Sequence, residues 1–133
     1  MAVKDWIQAS RLRTLPLAAS CVLVGAAISF PETRGSELLI RQFWPVFTVI
    51  LMTVILLQIL SNWANDWGDF ENGADDASRQ DRAVASGRIS AAKMKSAVLV
   101  LAIVAFVCGL VALFLSFSAA GHLLSALLLL AMG

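Results

Sequence analysis

The sequence predicts an all-α membrane protein, a transmembrane helical bundle of three spans plus the start of a fourth. Three observations carry that expectation. Hydrophobic residues make up 59% of the 133 residues, charged residues only 14%, and mean hydropathy is +0.83. A soluble domain carries about 45–50% apolar and about 25% charged residues. The apolar excess is gathered into long runs at 15–30, 43–60 and 97–117, and none of these holds an acidic or basic residue. The polar residues collect in one long segment, 61–96, between the second and third runs. A run of roughly 20 apolar residues is what a bilayer crossing requires.

The N-terminal residues 3–10 alternate apolar and polar character, with Trp6 and Ile7 beside Lys4 and Asp5. That pattern suits a short interfacial helix lying on the membrane surface. Arg11, Arg13 and Thr14 follow, and Pro16 falls in the first turn of the next apolar run, where proline is tolerated. Residues 15–30 are slightly short for a span, and extension back to Arg13 closes the gap, because its side chain can snorkel to the headgroups. A cleaved signal peptide is the competing reading of this basic-then-apolar pattern. Pro16 at the opening of the apolar core and further membrane segments downstream favour a retained span over residues 13–30.

Residues 31–42 read as a polar connector with Pro31 and Gly35. The second span is expected over 43–64, with Trp44 and Pro45 at its interfacial start. The third is expected over 97–117, opened by Ser90 as a helix N-cap. Residues 118–122 read as a turn, in which His122 is an interfacial histidine, and an apolar run at 123–133 begins a fourth span. Ten apolar residues do not cross a bilayer, so the chain reads as the front part of a longer protein. Cys21 and Cys108 each sit inside an apolar run with no metal or disulfide spacing, and are expected to act as small hydrophobes.

Eight of the ten basic residues flank the first span or lie in the 61–96 loop, and only Arg34 and Arg41 lie in the other connector. The basic-rich side is cytoplasmic in multi-pass proteins. The N-terminus and the polar loop are therefore expected on the cytoplasmic face of the cell inner or plasma membrane. No basic cluster interleaved with aromatics exists, which excludes a nucleic-acid partner.

The chemistry concentrates at residues 62–76, which hold five of the nine acidic side chains: Asp66, Asp69, Glu71, Asp75 and Asp76. If the second helix continues, Asn62, Asn65 and Asp69 share one face at i, i+3 and i+7. Asp66 is turned away from Asn65 by roughly 100°. Asn72-Gly73 is a turn signal that would bring Asp75 or Asp76 back toward Asp69. A few oxygen ligands at a helix end suit Mg2+, which takes one or two carboxylates, waters and phosphate oxygens. Spacing excludes an EF-hand. The plain alternative is a solvated acidic loop at the headgroup level. Arg79, Arg82, Arg88, Lys93 and Lys95 follow closely, and metal and guanidinium groups together suit a diphosphate that binds and then leaves. The positive-inside bias accounts for the arginines almost as well.

These residues resemble the UbiA-type membrane aromatic prenyltransferases. Asn65-Asp66-Trp67-Gly68-Asp69 with Asp75 six residues on is similar to their first aspartate-rich motif. Within that superfamily the 1,4-dihydroxy-2-naphthoate branch of menaquinone synthesis is closest. Arg11-Leu12-Arg13-Thr14-Leu15-Pro16 resembles its opening motif, with Leu12 in place of a proline, and residues 82–90 resemble its loop into the third helix. The resemblance implies a bundle of about nine helices in which two aspartate-rich motifs hold a polyprenyl diphosphate through Mg2+. The diphosphate leaves and the allylic cation alkylates an aromatic acceptor, here dihydroxynaphthoate. By position it implies Asp69 and Asp75 as the catalytic carboxylates and Asn65, Asp66, Asp69 and Asp75 as metal-associated. Arg82, Arg88 and Arg11 are implied as contacts to the diphosphate. The chain holds no acid after Asp81. The second motif is thus expected outside it, and the 133 residues alone are expected to be inactive. Two other functions compete with this one: a prenyltransferase for another acceptor such as 4-hydroxybenzoate, and a small non-catalytic channel or transporter subunit. A transporter is expected to place charge inside its spans, which these lack.

Overall fold

A computed structural model describes residues 2–75, 79 and 81–119. The fourth apolar run, His122 and Asp76 lie outside the described residues. Among those described, every regular element is helical: α1 Val3–Ala9, α2 Leu15–Ser29, α3 Glu37–Glu71 and α4 Ala91–Ala119, with 3-10 turns at Leu12–Thr14 and Phe30–Gly35. Three stretches are long and apolar enough to cross a membrane. The chain is a multi-pass helical membrane protein.

α1 is short, and Asp5 in its first turn accepts the Ala2 amide at 3.0 Å. The chain breaks at Arg11, which adopts a left-handed conformation at φ 48°. That break separates the interfacial helix from the first span. α2 has 15 residues, about 22 Å at 1.5 Å each. The 3-10 turns at its ends extend the crossing to about 40 Å at their steeper rise. Arg13 lies in the first of these turns, as its snorkelling role requires.

The connector is shorter and more ordered than its polarity suggests. Ser36 caps α3, its hydroxyl accepting the Leu39 amide at 3.4 Å, and Glu37 favours the helix N-terminus. α3 therefore starts six residues before its apolar run, and Pro45 sits within it. Hydropathy marks the membrane-facing stretch of a helix and is blind to polar extensions of the same helix. At 35 residues α3 is about 52 Å long against a hydrocarbon thickness of about 30 Å. The excess carries the acidic motif out of the membrane on a rigid rod.

α3 is the central helix, flanked by α2 on one side and α4 on the other. Both neighbours run antiparallel to it: Phe30 meets Phe43 at the α2–α3 turn, and Lys95 lies over Trp67 at the other end. The α3–α4 seam is built from small side chains, with Ala105 and Ala112 buried and Gly109 facing Thr53. Close backbone approach through small residues is how helices associate without a hydrophobic driving force. Elsewhere the spans expose large apolar side chains such as Leu17, Ile28, Ile103 and Phe106.

A cluster of buried side chains lies at the polar end of the bundle. Ala9, Ala83, Val84, Ile89 and Met94 form a buried cluster, with Trp6, Trp63, Trp67, Ala91 and Val98 against it. α1, the end of α3, the 82–89 loop and the start of α4 thus meet in one small core. Asn62 ties the N-terminal segment down, donating to the Ser10 carbonyl at 2.9 Å and the Thr14 hydroxyl at 3.1 Å. The Trp63 indole N–H donates to the Ser10 hydroxyl at 3.1 Å. The N-terminus and the polar loop therefore share one end of the bundle.

Candidate functional site

The site forms where α3 outlasts the membrane. Asn65 is exposed and Asp69 sits one turn further on, part-exposed. The chain then turns at Gly73, whose φ of 69° suits glycine. Ala74 and Asp75 donate their amides to the Asp69 carbonyl at 2.8 and 3.2 Å. That turn returns Asp75 toward Asp69, as the Asn72-Gly73 signal implies.

Arg82 occupies the space between the two acids. Its Nη2 donates to Asp69 Oδ2 at 2.7 Å, and its Nε forms an ion pair with Asp75 Oδ2 at 3.1 Å. Asp75 is the deeper partner, with 2% of its side chain exposed against 40% for Asp69. Arg79 reaches the other Asp75 oxygen at 3.1 Å. Both oxygens of Asp75 are thus committed to guanidinium groups. Asp69 keeps one oxygen outside the ion pair, beside exposed Asn65. Among the described residues Arg82 Nη1, Arg82 Nε and Asp75 Oδ2 are buried without a hydrogen-bond partner, so the Arg82–Asp75 contact is an ion pair and not an aligned hydrogen bond.

Arg79 also pairs with Asp81 at 3.2 Å, and that hydrogen bond holds the Asp81 carboxyl below its usual range. Arg79 is correspondingly pushed up by the hydrogen bond and charge of Asp81.

Asp66 points elsewhere, as its rotation from Asn65 implies. It is buried, and its Oδ2 accepts the Ala83 amide at 3.0 Å. Burial pushes its carboxyl above the ordinary range, opposed by the Ala83 and Val84 amides and by the charges of Arg82 and Arg11. Arg88 donates to the Ser86 hydroxyl at 2.9 Å and to the Gln8 side chain, which joins the loop to α1. The structure therefore brings Asp69, Asp75 and Arg82 into direct contact, with Asn65 adjacent. It places Arg11, Asp66 and Arg88 around the rim and base of the same end. No group of three metal-binding side chains assembles among the described residues.

A sequence profile of the UbiA prenyltransferase family matches residues 18–132. The chain belongs to that family. It is 34% identical over 110 residues to a 1,4-dihydroxy-2-naphthoate octaprenyltransferase of Haemophilus influenzae, a match covering 80% of this chain and 34% of the relative. It is 35% identical over 129 residues to the protein of that name from Escherichia coli, covering 89% of this chain and 40% of the relative. The chain thus spans about two fifths or less of the curated relatives it matches. No solved structure matches it significantly.

The bridging role of Arg82, the pinning of the N-terminal segment by Asn62 and the Gln8–Arg88 contact are absent from the sequence reading. Asn62, expected on one face with Asn65 and Asp69, is instead buried against Ser10 and Thr14 while Asn65 is exposed. The Gln8–Arg88 contact spans 80 residues and has no signal in the sequence.

Proposed function

We propose that this chain forms the donor-binding end of a prenyltransferase that moves a polyprenyl group from its diphosphate to 1,4-dihydroxy-2-naphthoate, as in menaquinone synthesis. Family membership and the names of both relatives support the class of reaction and the acceptor. The observation that carries the reading is the alternation of carboxylate and guanidinium at the aqueous end of α3. Asp69 and Asn65 offer oxygens, and Arg82 offers a buried Nη1 with no partner.

The donor set fits Mg2+ in a limited way. Two protein oxygens, from Asp69 and Asn65, leave most of an octahedral shell to water and diphosphate oxygens, as Mg2+ prefers. When bound, the ion supplies charge neutralisation to the leaving diphosphate. Asp75 acts through Arg82, orienting a guanidinium toward the same anion. Arg11 and Arg88 add positive potential at the mouth, which raises the local concentration of an anionic donor. The N-terminus and the loop face the cytoplasm in this reading, where the water-soluble diphosphate departs. The apolar faces of α2–α4 keep the prenyl chain in the membrane.

The acceptor test is transfer of a radiolabelled prenyl group in membranes carrying a full-length protein that contains this chain, with dihydroxynaphthoate and 4-hydroxybenzoate offered separately. Labelled product only with dihydroxynaphthoate, abolished by EDTA and restored by Mg2+, is the expected result. Product with 4-hydroxybenzoate alone moves the chain to the other branch. Unchanged transfer in EDTA removes the metal.

A further inference from the structure

Asp66 is the acid of the motif that the metal–diphosphate reading uses least, and it is among the most buried polar residues described, at 3% exposure. Its Oδ2 accepts the Ala83 amide at 3.0 Å across 17 residues of sequence. Ala83 follows Arg82 directly, so this bond fixes the peptide plane on the C-terminal side of Arg82. The other side is fixed too, because the Arg82 amide donates to the Arg79 carbonyl at 3.1 Å. The Arg82 carbonyl accepts the Ser86 amide at 3.1 Å and the Ser86 hydroxyl at 2.6 Å. Ala83 and Ile89 close the loop, the Ile89 amide donating to the Ala83 carbonyl at 3.0 Å, and both are buried in the small core.

We propose that Asp66 is a positioning residue and not a metal ligand: its buried carboxylate clamps the Arg82–Ala83 peptide to α3 and so aims the Arg82 guanidinium between Asp69 and Asp75. The physical case rests on direction and burial. Asp66 is buried under the loop, Asn65 is exposed to solvent, and Asp69 lies between them, half-buried, its side chain reaching the loop through Arg82. At 3% exposure the Asp66 carboxyl has little room for a hydrated ion: its Oδ2 accepts a backbone amide, and its Oδ1 is buried as well, with no hydrogen-bond partner among the described residues. The clamp itself stands on the geometry. Its consequence for ligand binding rests on the proposed diphosphate site.

Two measurements on a full-length protein that contains this chain, in lipid nanodiscs, test this, each with Asp66→Asn, Asp66→Ala and Asp69→Asn. Hydrogen exchange reads the Ala83 amide, and Mn2+ paramagnetic resonance with inorganic pyrophosphate reads the anion site. Asparagine keeps an acceptor oxygen, so Asp66→Asn is expected to leave Ala83 protection and Mn2+–pyrophosphate affinity within about threefold of the parent. Asp66→Ala is expected to speed Ala83 exchange by roughly 10- to 100-fold, the range for leaving a buried amide without its acceptor. It is also expected to weaken pyrophosphate binding while leaving any Mn2+ binding without pyrophosphate unchanged. Asp69→Asn is expected to do the reverse, losing Mn2+ with Ala83 still protected. Loss of Mn2+ affinity in Asp66→Asn equal to that in Asp69→Asn overturns the proposal, as does an unprotected Ala83 amide in the parent. A parent that binds no Mn2+–pyrophosphate refutes the diphosphate reading, and Ala83 exchange then decides the clamp by itself.

Discussion

Arg82 is the residue on which the geometry of the site depends, and its replacement can be worked through in numbers. Its Nη2 lies 2.7 Å from Asp69 and its Nε 3.1 Å from Asp75. A lysine ammonium is a single point charge on a flexible stem and cannot hold both carboxylates in a fixed fork. Removing one partner of a buried pair costs on the order of 3–5 kcal/mol. Here Asp69 is 40% exposed, so its arm is screened and contributes about 1 kcal/mol at most. Asp75 is 2% exposed but keeps Arg79 at 3.1 Å, which offsets part of the loss. The net expectation is about 2–3 kcal/mol for Arg82→Ala and about 1–2 kcal/mol for Arg82→Lys, which retains one contact.

The assay is built into the protein. Trp6, Trp63 and Trp67 pack against the cluster that contains Ala83 and Val84, next to Arg82. Unfolding by SDS in mixed micelles, followed by tryptophan fluorescence, therefore reports the stability of this end. A double-mutant cycle with Asp75→Asn isolates the pair, and a coupling of at least about 1 kcal/mol is expected for residues in direct contact. Arg82→Ala with stability within about 0.5 kcal/mol of the parent, or a coupling near zero, refutes the argument that Arg82 bridges the acids.

Other substitutions follow from the same geometry. Asn62→Ala leaves the Ser10 carbonyl without its 2.9 Å donor, and a loss of about 1–3 kcal/mol is expected in the same unfolding titration. Gly87 has φ +74°, so Gly87→Ala is expected to cost about 1–2 kcal/mol and to raise protease sensitivity within 82–89. Gly109→Ala places a methyl 3.7 Å from Thr53 Cγ2, an ordinary contact inside a helix. It is therefore expected to be neutral or to stabilise by up to about 1 kcal/mol, whereas Gly109→Leu forces α3 and α4 apart. Asp81 has a folded-state carboxyl held below 3.8 by Arg79, so its contribution is present above the ordinary value and lost as pH falls through the lowered one. Arg79→Gln is expected to move its titration upward, read by carbon-13 NMR of labelled aspartate.

Hydropathy located the spans because a bilayer imposes a length and an exclusion of charge, and both can be read residue by residue. It was blind to helix that continues beyond the bilayer. Hence α3 begins at Glu37, through residues that read as a connector, whereas α4 begins at Ala91, directly after the Ser90 that the sequence marks as its cap. The acidic motif was legible in two respects. Helical period put Asn65 and Asp69 together and turned Asp66 away, and Asn72-Gly73 marked the reversal that returns Asp75. What Asp66 turns toward was not legible, since Ala83 is an unremarkable residue whose contribution is a backbone amide. The arginines were ambiguous for a related reason. Positive-inside bias and anion binding ask for the same residue type, and only the 2.7 Å contact to Asp69 separates Arg82 from its neighbours.

The central claim is that Asp69, at the aqueous end of α3, holds the metal–diphosphate on which prenyl transfer depends. The most direct measurement is Mg2+-dependent transfer of a prenyl group to dihydroxynaphthoate by membranes carrying a full-length prenyltransferase that contains this chain, compared with membranes carrying its Asp69→Ala variant at equal abundance. The expected result is loss of at least about 100-fold in rate, the scale of removing a group that stabilises developing charge. Near-normal turnover in Asp69→Ala, with unchanged Mg2+ dependence, contradicts the account.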